Sequence, residues 1–162
     1  MAENIEEKVH DLELFRNGHM QGVIERHIND PKFQYFQICE ENYEVVLPIL
    51  SHVHKKTLCL KDYTLSIGHA KGLAKACEFF HMMNINRIIL DNSGVDDQEF
   101  SNILKGAQKL IEFKKIIYKR NIFMQESLNE LVPLLQKPLP INLEELRIEN
   151  CKITEDIATK LI

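Results

Sequence analysis

The stretches that decide the fold are INRIILDNSGV at residues 85–95, FKKIIYKRNIF at 113–123 and LEELRIENCKI at 143–153. Each contains two apolar residues separated by one position, then a small polar residue or cysteine three positions later, then a further apolar residue. A related stretch covers residues 58–65. The pattern residues of the four copies are Leu58, Leu60, Tyr63 and Leu65; Ile88, Leu90, Ser93 and Val95; Ile116, Tyr118, Asn121 and Phe123; and Leu146, Ile148, Cys151 and Ile153.

The copies follow one another at a nearly constant distance. Counted from Leu60 through Leu90 and Tyr118 to Ile148, the intervals are 30, 28 and 30 residues. Three copies carry a further apolar residue three positions before the first pattern residue, and these are Ile85, Phe113 and Leu143. Self-similarity at such an interval is the signature of a repeat architecture.

Each copy is predicted to contain a short β-strand, because its apolar and outward residues alternate. In the last copy Leu146 and Ile148 are expected to point inward, whereas Arg147 points outward. The position of Asn121 and Cys151 is expected to turn the chain beneath the strand, where an asparagine side chain can bond to unpaired backbone.

Segments with helical spacing separate the strands. Their apolar residues are Leu73, Ala76, Cys77 and Phe80; Phe100, Ile103, Leu104, Ala107 and Leu110; and Leu128, Leu131, Leu134 and Leu135. Helices in these places would return the chain to the same edge, so the strands are predicted to form one parallel sheet. Asp96 with Glu99 is a predicted capping pair, and Thr154 a predicted helix start. Pro133 is expected to end or bend the third helix.

The stretches at 85–95, 113–123 and 143–153 resemble the leucine-rich repeats of the ribonuclease-inhibitor class, and the resemblance covers roughly residues 33–162. It implies an α/β solenoid with parallel strands on a concave face and helices on a convex face. Residues 33–162 would then hold about five repeats, the last incomplete, after an α-helical N-terminal cap at 1–32. The same architecture serves inhibitors, GTPase activators, immune sensors, actin-filament cappers and ciliary scaffolds, so it does not name a function.

The two ends of the repeat region are less regular. An early copy is predicted to start at Phe33, with pattern residues Phe36, Ile38, Glu41 and Tyr43. Before it, Glu3–Arg16 and His19–Ile28 are predicted to be two short helices that cover the first apolar edge. At the other end, an uncapped edge is expected to favour association, and its apolar residues are Ile153, Ile157, Leu161 and Ile162.

Composition excludes several classes of function. The 24 acidic and 20 basic residues give a net charge of −4, so binding of nucleic acid through overall charge is not expected. The four cysteines have no CxxC spacing and no apolar leader follows Met1, which favours reduced thiols and a cytoplasmic location. No apolar stretch is long enough to predict a membrane span.

No catalytic or cofactor site is predicted. His52 and His54 lie near Cys39 and Cys59 in the sequence, but their spacing is not that of metal ligands, and surface histidines with reduced cysteines are the better interpretation. No Gly-rich turn accompanies any cysteine, so a cysteine nucleophile is not indicated. No arginine matches the loop arginine of the GTPase-activating repeat proteins. We therefore expect no enzyme activity, no metal and no cofactor.

The register of the repeats predicts which residues line the outward face. The central column contains Cys59, Ile89, Ile117 and Arg147, and the flanking columns contain Thr57, Arg87, Lys115 and Glu145 and Lys61, Asp91, Lys119 and Glu149. Exposed isoleucines suit a contact surface, although β-branched residues are also simply favoured in strands.

Basic residues concentrate in the third repeat, at Lys109, Lys114, Lys115, Lys119 and Arg120. They indicate either a solvated face or a site for an acidic protein segment. The predicted protein-binding residues are therefore Arg87, Ile89, Lys115, Ile117, Lys119, Arg120 and Arg147.

These features favour a non-catalytic scaffold that binds proteins through its repeat surface, with a cytoskeletal or ciliary assembly as one setting that the family resemblance implies. The alternative is a regulator that binds an enzyme, acting as an inhibitor or a GTPase activator. Neither nucleic acid nor a membrane is an expected partner.

Overall fold

The computed structural model of the chain describes residues 27–110, 112–136 and 143–160. Most of the two helices expected near the N-terminus, and residues 161–162 of the C-terminal edge, lie outside these described residues. Within them, helices and strands alternate. The elements are α1 (Pro31–Glu41), β1 (Val53–His54), β2 (Thr57–Lys61), α2 (Ile67–Cys77), β3 (Arg87–Asp91), α3 (Asp97–Ala107), β4 (Lys115–Lys119), α4 (Gln125–Gln136), β5 (Glu145–Glu149) and α5 (Glu155–Lys160).

The strands form one five-stranded sheet in the order β1-β2-β3-β4-β5. β1 is antiparallel to β2, and the other four strands are parallel. Pattern residues pair with their equivalents: Leu60 lies beside Leu90, Leu90 beside Tyr118, and Tyr118 beside Ile148. The predicted α/β class, the four strands and their register are therefore confirmed.

The residue after each parallel strand has a left-handed backbone. Asp62, Asn92, Arg120 and Asn150 have φ angles of 53°, 51°, 53° and 54°. Only a few per cent of non-glycine residues adopt this conformation, and Asn and Asp are enriched among them. The same turn therefore ends all four parallel strands, which is a structural repeat that the apolar pattern alone does not specify.

The predicted role of Asn121 beneath its strand is confirmed. Its side-chain oxygen accepts a hydrogen bond from the backbone N–H of Ser93 at 3.0 Å, and its amide nitrogen donates to the carbonyl oxygens of Leu90 at 3.2 Å and Lys119 at 2.9 Å. Cys151, in the equivalent position of the next repeat, makes weak sulfur contacts with the carbonyl oxygens of Tyr118 at 3.4 Å and Glu149 at 3.5 Å. Asn121 thus joins two neighbouring repeats through buried backbone groups.

The core lies between the sheet and the helices. The inward residues of β2, β3 and β4 are at most 2% exposed. The rings of Phe100 on α3 and Tyr118 on β4 stack with centroids 3.7 Å apart, and the Tyr118 hydroxyl lies 2.8 Å from the carbonyl oxygens of both Val95 and Ile122. Burial of the Tyr118 hydroxyl therefore does not leave it without a partner.

Helix starts follow the predicted signals. The Asp96 side chain accepts from Glu99 N, and the Glu99 side chain accepts from Asp96 N, so the predicted capping box is confirmed. α5 begins directly after Thr154, as predicted.

α4 does not end at Pro133 but continues to Gln136. Because proline has no N–H, the carbonyl oxygen of Asn129 receives no helical hydrogen bond from Pro133. Asn129 is exposed, so water can donate a hydrogen bond to this oxygen instead.

The early copy predicted from Phe33 to Tyr43 is wrong, because this segment is helical. Asp30 caps α1 by accepting from Lys32 N at 2.9 Å, and Pro31 occupies the first helical position. The three-residue spacing of Phe33 and Phe36 fits one face of a helix as well as it fits an irregular repeat, so the spacing alone could not distinguish the two. The predicted boundary between residues 32 and 33 consequently falls inside α1.

Neighbouring helices pack in sequence order, α1 on α2, α2 on α3 and α3 on α4. The α2–α3 contact is close at Gly106, where a Cβ atom would collide with the carbonyl oxygen of Ala74. Among the described residues, no helix has the length and apolar character needed to cross a lipid bilayer.

Candidate protein-binding site

One face of the sheet packs against the helices, and the other presents the alternate side chains of the parallel strands. From β2 to β5, its three columns are Thr57, Arg87, Lys115 and Glu145; Cys59, Ile89, Ile117 and Arg147; and Lys61, Asp91, Lys119 and Glu149. We call this surface the outward face. Six of the seven predicted binding residues lie on it, and Arg120 lies at its edge, in the turn that follows β4.

The central column is less exposed than expected. Cys59 and Arg147 are exposed and Ile89 is half-buried, but Ile117 is only 6% exposed. The expectation of an exposed Ile117 is therefore wrong. Its strand lies between β3 and β5, and the flanking Lys115 and Lys119 extend toward β5, so their aliphatic stems can cover the isoleucine.

The lysines of β4 are paired with the glutamates of β5. Lys115 contacts Glu145 at 2.5 Å, and Lys119 contacts Glu149 at 2.6 Å. Arg147, between the two glutamates, contacts Glu145 at 2.5 Å and Glu149 at 3.7 Å. Hydrogen bonding from Lys115, with the charge of Arg147, lowers the pKa of the Glu145 carboxyl below its usual value. The lysines of β4 are therefore compensated within the chain, because the next strand supplies the carboxylates.

Arg120 also has acidic neighbours from other repeats. Its Nε lies 2.7 Å from Asp91 Oδ1, and one of its terminal nitrogens lies 3.4 Å from Asp62 Oδ1. The hydrogen bond from Arg120 lowers the pKa of Asp91. Arg120, in the turn after β4, thus contacts the turn after β2 and the end of β3 and is not an isolated charge.

Arg87 differs from the other predicted cations. It is exposed, and among the described residues no carboxylate forms an ion pair with it. Its neighbour in the column is the cation Lys115 on one side and the uncharged Thr57 on the other. A guanidinium in this setting can bind a partner carboxylate with two parallel hydrogen bonds.

The cysteines and histidines do not converge in the part of the chain that the structure describes. No group of three or more potential metal ligands occurs there. Burial raises the pKa of the Cys39, Cys77 and Cys151 thiols, which disfavours the thiolate that a nucleophile or a metal would need. His52 packs edge-on against Tyr63, with ring centroids 5.2 Å apart.

A second charged surface was missed by the sequence reasoning. Four lysines, Lys71 and Lys75 on α2, Lys105 on α3 and Lys109 in the turn just after α3, line a groove on the helical side. Lys109 was predicted to belong with the basic residues of β4, but it lies in this groove instead. The sequence did contain a signal for this groove. Lysines recur four residues apart in two segments, and the repeat pattern predicts that these segments are neighbouring helices.

No family model matches the sequence, and no curated protein or solved structure matches it either.

Proposed function

We propose that this chain is a leucine-rich-repeat protein of the ribonuclease-inhibitor type, and that it binds other proteins on the outward face without catalysing a reaction itself. Four units with one strand register and one left-handed turn support the family assignment. Stacked units of this kind make extended surfaces for partners.

The observation that carries the proposal is the open outward face. The described helices pack on the opposite side of the sheet, where the inward residues share a core with them. The outward residues of four adjacent strands therefore form one continuous surface, with neighbouring strands about 4.8 Å apart. Such a surface can contact a folded partner over several repeats at once.

The half of this face formed by β2 and β3 is the proposed contact. Arg87 has no ion-pair partner among the described residues, Cys59 is exposed, and Ile89 offers part of its apolar surface. By contrast, the lysines of β4 are already paired with β5. An acidic group on the partner would pair with Arg87, and apolar contacts would form beside it.

The test is a quantitative affinity purification with wild-type chain and the variants Arg87→Glu and Cys59→Asp. Both changes are at exposed positions, so we expect normal melting curves and circular dichroism spectra. The proposal expects that partners recovered with the wild type are lost with both variants. Lys32→Glu on the exposed side of α1 is the matched control, because it makes the same charge change away from the outward face.

Equal recovery by Arg87→Glu and Lys32→Glu would exclude the outward face as the contact. The composition of the recovered proteins separates the two forms of the proposal. Structural proteins in stoichiometric amounts, such as components of a cytoskeletal or ciliary assembly, support a scaffold. A single enzyme or GTPase whose activity changes on binding supports a regulator.

A further inference from the structure

The groove between α2 and α3 lies on the side of the molecule opposite the outward face. It encloses about 460 Å³, and its lining consists of Lys71, Ala74, Lys75, Glu78, Asn102, Lys105, Gly106 and Lys109. Four lysines and one glutamate give this lining a net charge of +3, from 4 − 1, in a chain whose net charge is −4. The positive charge is therefore concentrated at one place.

Small residues form the floor of the groove. Gly106 brings α3 so close to α2 that a Cβ atom there would collide with Ala74 O and approach the Cys77 side chain to 3.0 Å. Lys71 and Lys75 are four residues apart on one face of α2, with Cβ atoms about 5–6 Å apart, whereas Lys105 on α3 is followed by Lys109 in the turn after that helix. The groove is thus a shallow channel with one row of lysines from α2 on one side and a second row, Lys105 and Lys109, on the other.

Two of the lysines are anchored by Glu78, and two are less constrained. Glu78 contacts Lys75 at 3.2 Å and Lys109 at 2.8 Å, so it links the two rows. Lys105 is 52% exposed and lies 3.7 Å from Glu130, while exposed Lys71 has no ion pair with any described residue. Positive charge therefore remains available to a ligand along both rows.

We propose that this lysine groove binds an acidic, extended segment of a partner protein. An extended chain repeats its side chains on one face about every 6.6 Å, which is close to the spacing of Lys71 and Lys75 on α2. Acidic residues at alternate positions can therefore meet successive ammonium groups. Lys75 and Lys109 are already held by Glu78, and the less constrained Lys71 and Lys105 lie on two different helices, which suits a chain of carboxylates better than a single phosphate.

The test measures binding of a labelled synthetic peptide of alternating glutamate and glycine to the full chain by fluorescence anisotropy. The test variant is Lys71→Gln with Lys105→Gln, which leaves the Glu78 contacts intact. The control is Lys32→Gln with Lys152→Gln, which removes the same two charges from exposed positions outside both the groove and the proposed contact on β2 and β3. Unfolding curves of the three proteins verify that each is folded.

The expected result is saturable binding by the wild type that weakens as salt is added. Loss of two exposed cations should raise Kd on the order of tenfold in the test variant, whereas the control should stay within about twofold. Equal weakening in both variants, or no saturable binding by the wild type, would overturn the proposal. So would tighter binding of anionic phospholipid vesicles or single-stranded RNA that the test variant loses, because the groove would then serve that ligand.

Discussion

The two inner repeats, containing β3 and β4, differ from the last repeat, containing β5, although all three have the same pattern and register. The inward residues Leu90 and Tyr118 are fully buried, whereas the equivalent Ile148 is only half-buried. The last pattern residue is 1% exposed in Val95, but 41% exposed in Ile153. The strand and turn of an inner repeat are therefore covered in part by the repeat that follows them.

The comparison also refines the expected apolar C-terminal edge. Ile153 is exposed as expected, but Ile157 is only 2% exposed, so the prediction that it lacks cover is wrong. Ile157 is the one residue of α5 that joins the described core. The preceding repeat thus suffices to bury the inner side of the last helix, but not the turn before it.

The largest expected effect tests this difference directly. Leu90→Ala should reduce the free energy of unfolding by about 2–5 kcal/mol, because it opens a cavity between repeats. Ile148→Ala removes a similar side chain from a half-exposed site and should cost about half as much or less. Denaturant unfolding of the two variants measures both values. Equal losses would contradict the idea that the following repeat provides the burial.

A smaller effect is expected at the turn beneath the strands. Asn121→Ala leaves the buried N–H of Ser93 and the Leu90 carbonyl without their side-chain partner and should cost about 1–3 kcal/mol. Cys151→Ala removes two weak sulfur contacts, of which one reaches the neighbouring repeat, and should cost less than about 1 kcal/mol. Thermal and denaturant unfolding would give both numbers. A Cys151→Ala loss as large as that of Asn121→Ala would show that the last repeat is joined as tightly as the inner ones.

The helix starts provide a third contrast. Asp97 of α3 accepts hydrogen bonds from the backbone N–H groups of Met124 at 2.6 Å, Glu126 at 2.8 Å and Ser127 at 3.2 Å, so it caps the next helix. The equivalent residue one repeat later is Gln125, which donates to Asn129 in its own helix. The inner repeats are interlocked by this cap, whereas the equivalent position of the next repeat carries an amide in place of the carboxylate.

Asp97→Ala should therefore cost about 0.5–2 kcal/mol and speed amide exchange at Glu126 and Ser127. Gln125→Ala is the matched change in the next repeat; because an amide lacks the charge of the Asp97 carboxylate, it should change exchange at the start of α5 less. Native-state hydrogen exchange resolves both effects. If exchange in α4 stayed unchanged in Asp97→Ala, the carboxylate would not be a cap in solution.

Sequence reasoning could predict the strands and their register, because apolar spacing fixes which residues enter a shared core. It failed where the outcome depends on a neighbouring element. The segment from Phe33 has a spacing that fits both a repeat and a helix, and the cap at Asp30 made it a helix. Ile117 is buried although it belongs to the outward column, and its neighbours Lys115 and Lys119 pair with carboxylates of β5, which the pattern of a single repeat does not reveal.

The lysine groove between α2 and α3 was missed for the same reason, because its lining depends on how neighbouring helices pack. Lys71 and Lys105 are 34 residues apart and become neighbours only because α2 and α3 pack closely at Gly106. Apolar periodicity positions the helices but does not reveal which surface positions face each other. Aligning surface charges in the same repeat frame as the apolar residues is the signal that could have found the groove.

The smallest expected effect concerns the acidic residue at the end of an inner strand, Asp91, and depends on pH. The hydrogen bond from Arg120 lowers the pKa of the folded-state carboxyl, so this contact stabilises the fold above the unfolded-state pKa of about 3.9 and the stabilisation is lost as pH falls through the folded-state value. Asp91→Asn should therefore be less stable than the wild type at neutral pH, and the difference should shrink below about pH 4.

Unfolding curves recorded from neutral to acidic pH measure this difference between the two proteins. Asp62→Asn is the control, because Asp62 lies 3.4 Å from the same arginine, as against 2.7 Å for Asp91. We expect its effect to be weaker at every pH, since exposed pairs of long side chains contribute little. A constant difference between wild type and Asp91→Asn across the whole range would mean that Asp91 contributes through packing. In that case Arg120 would not join the inner repeats electrostatically, and the contrast between the inner and the last repeats would rest on burial, Asn121 and Asp97 alone.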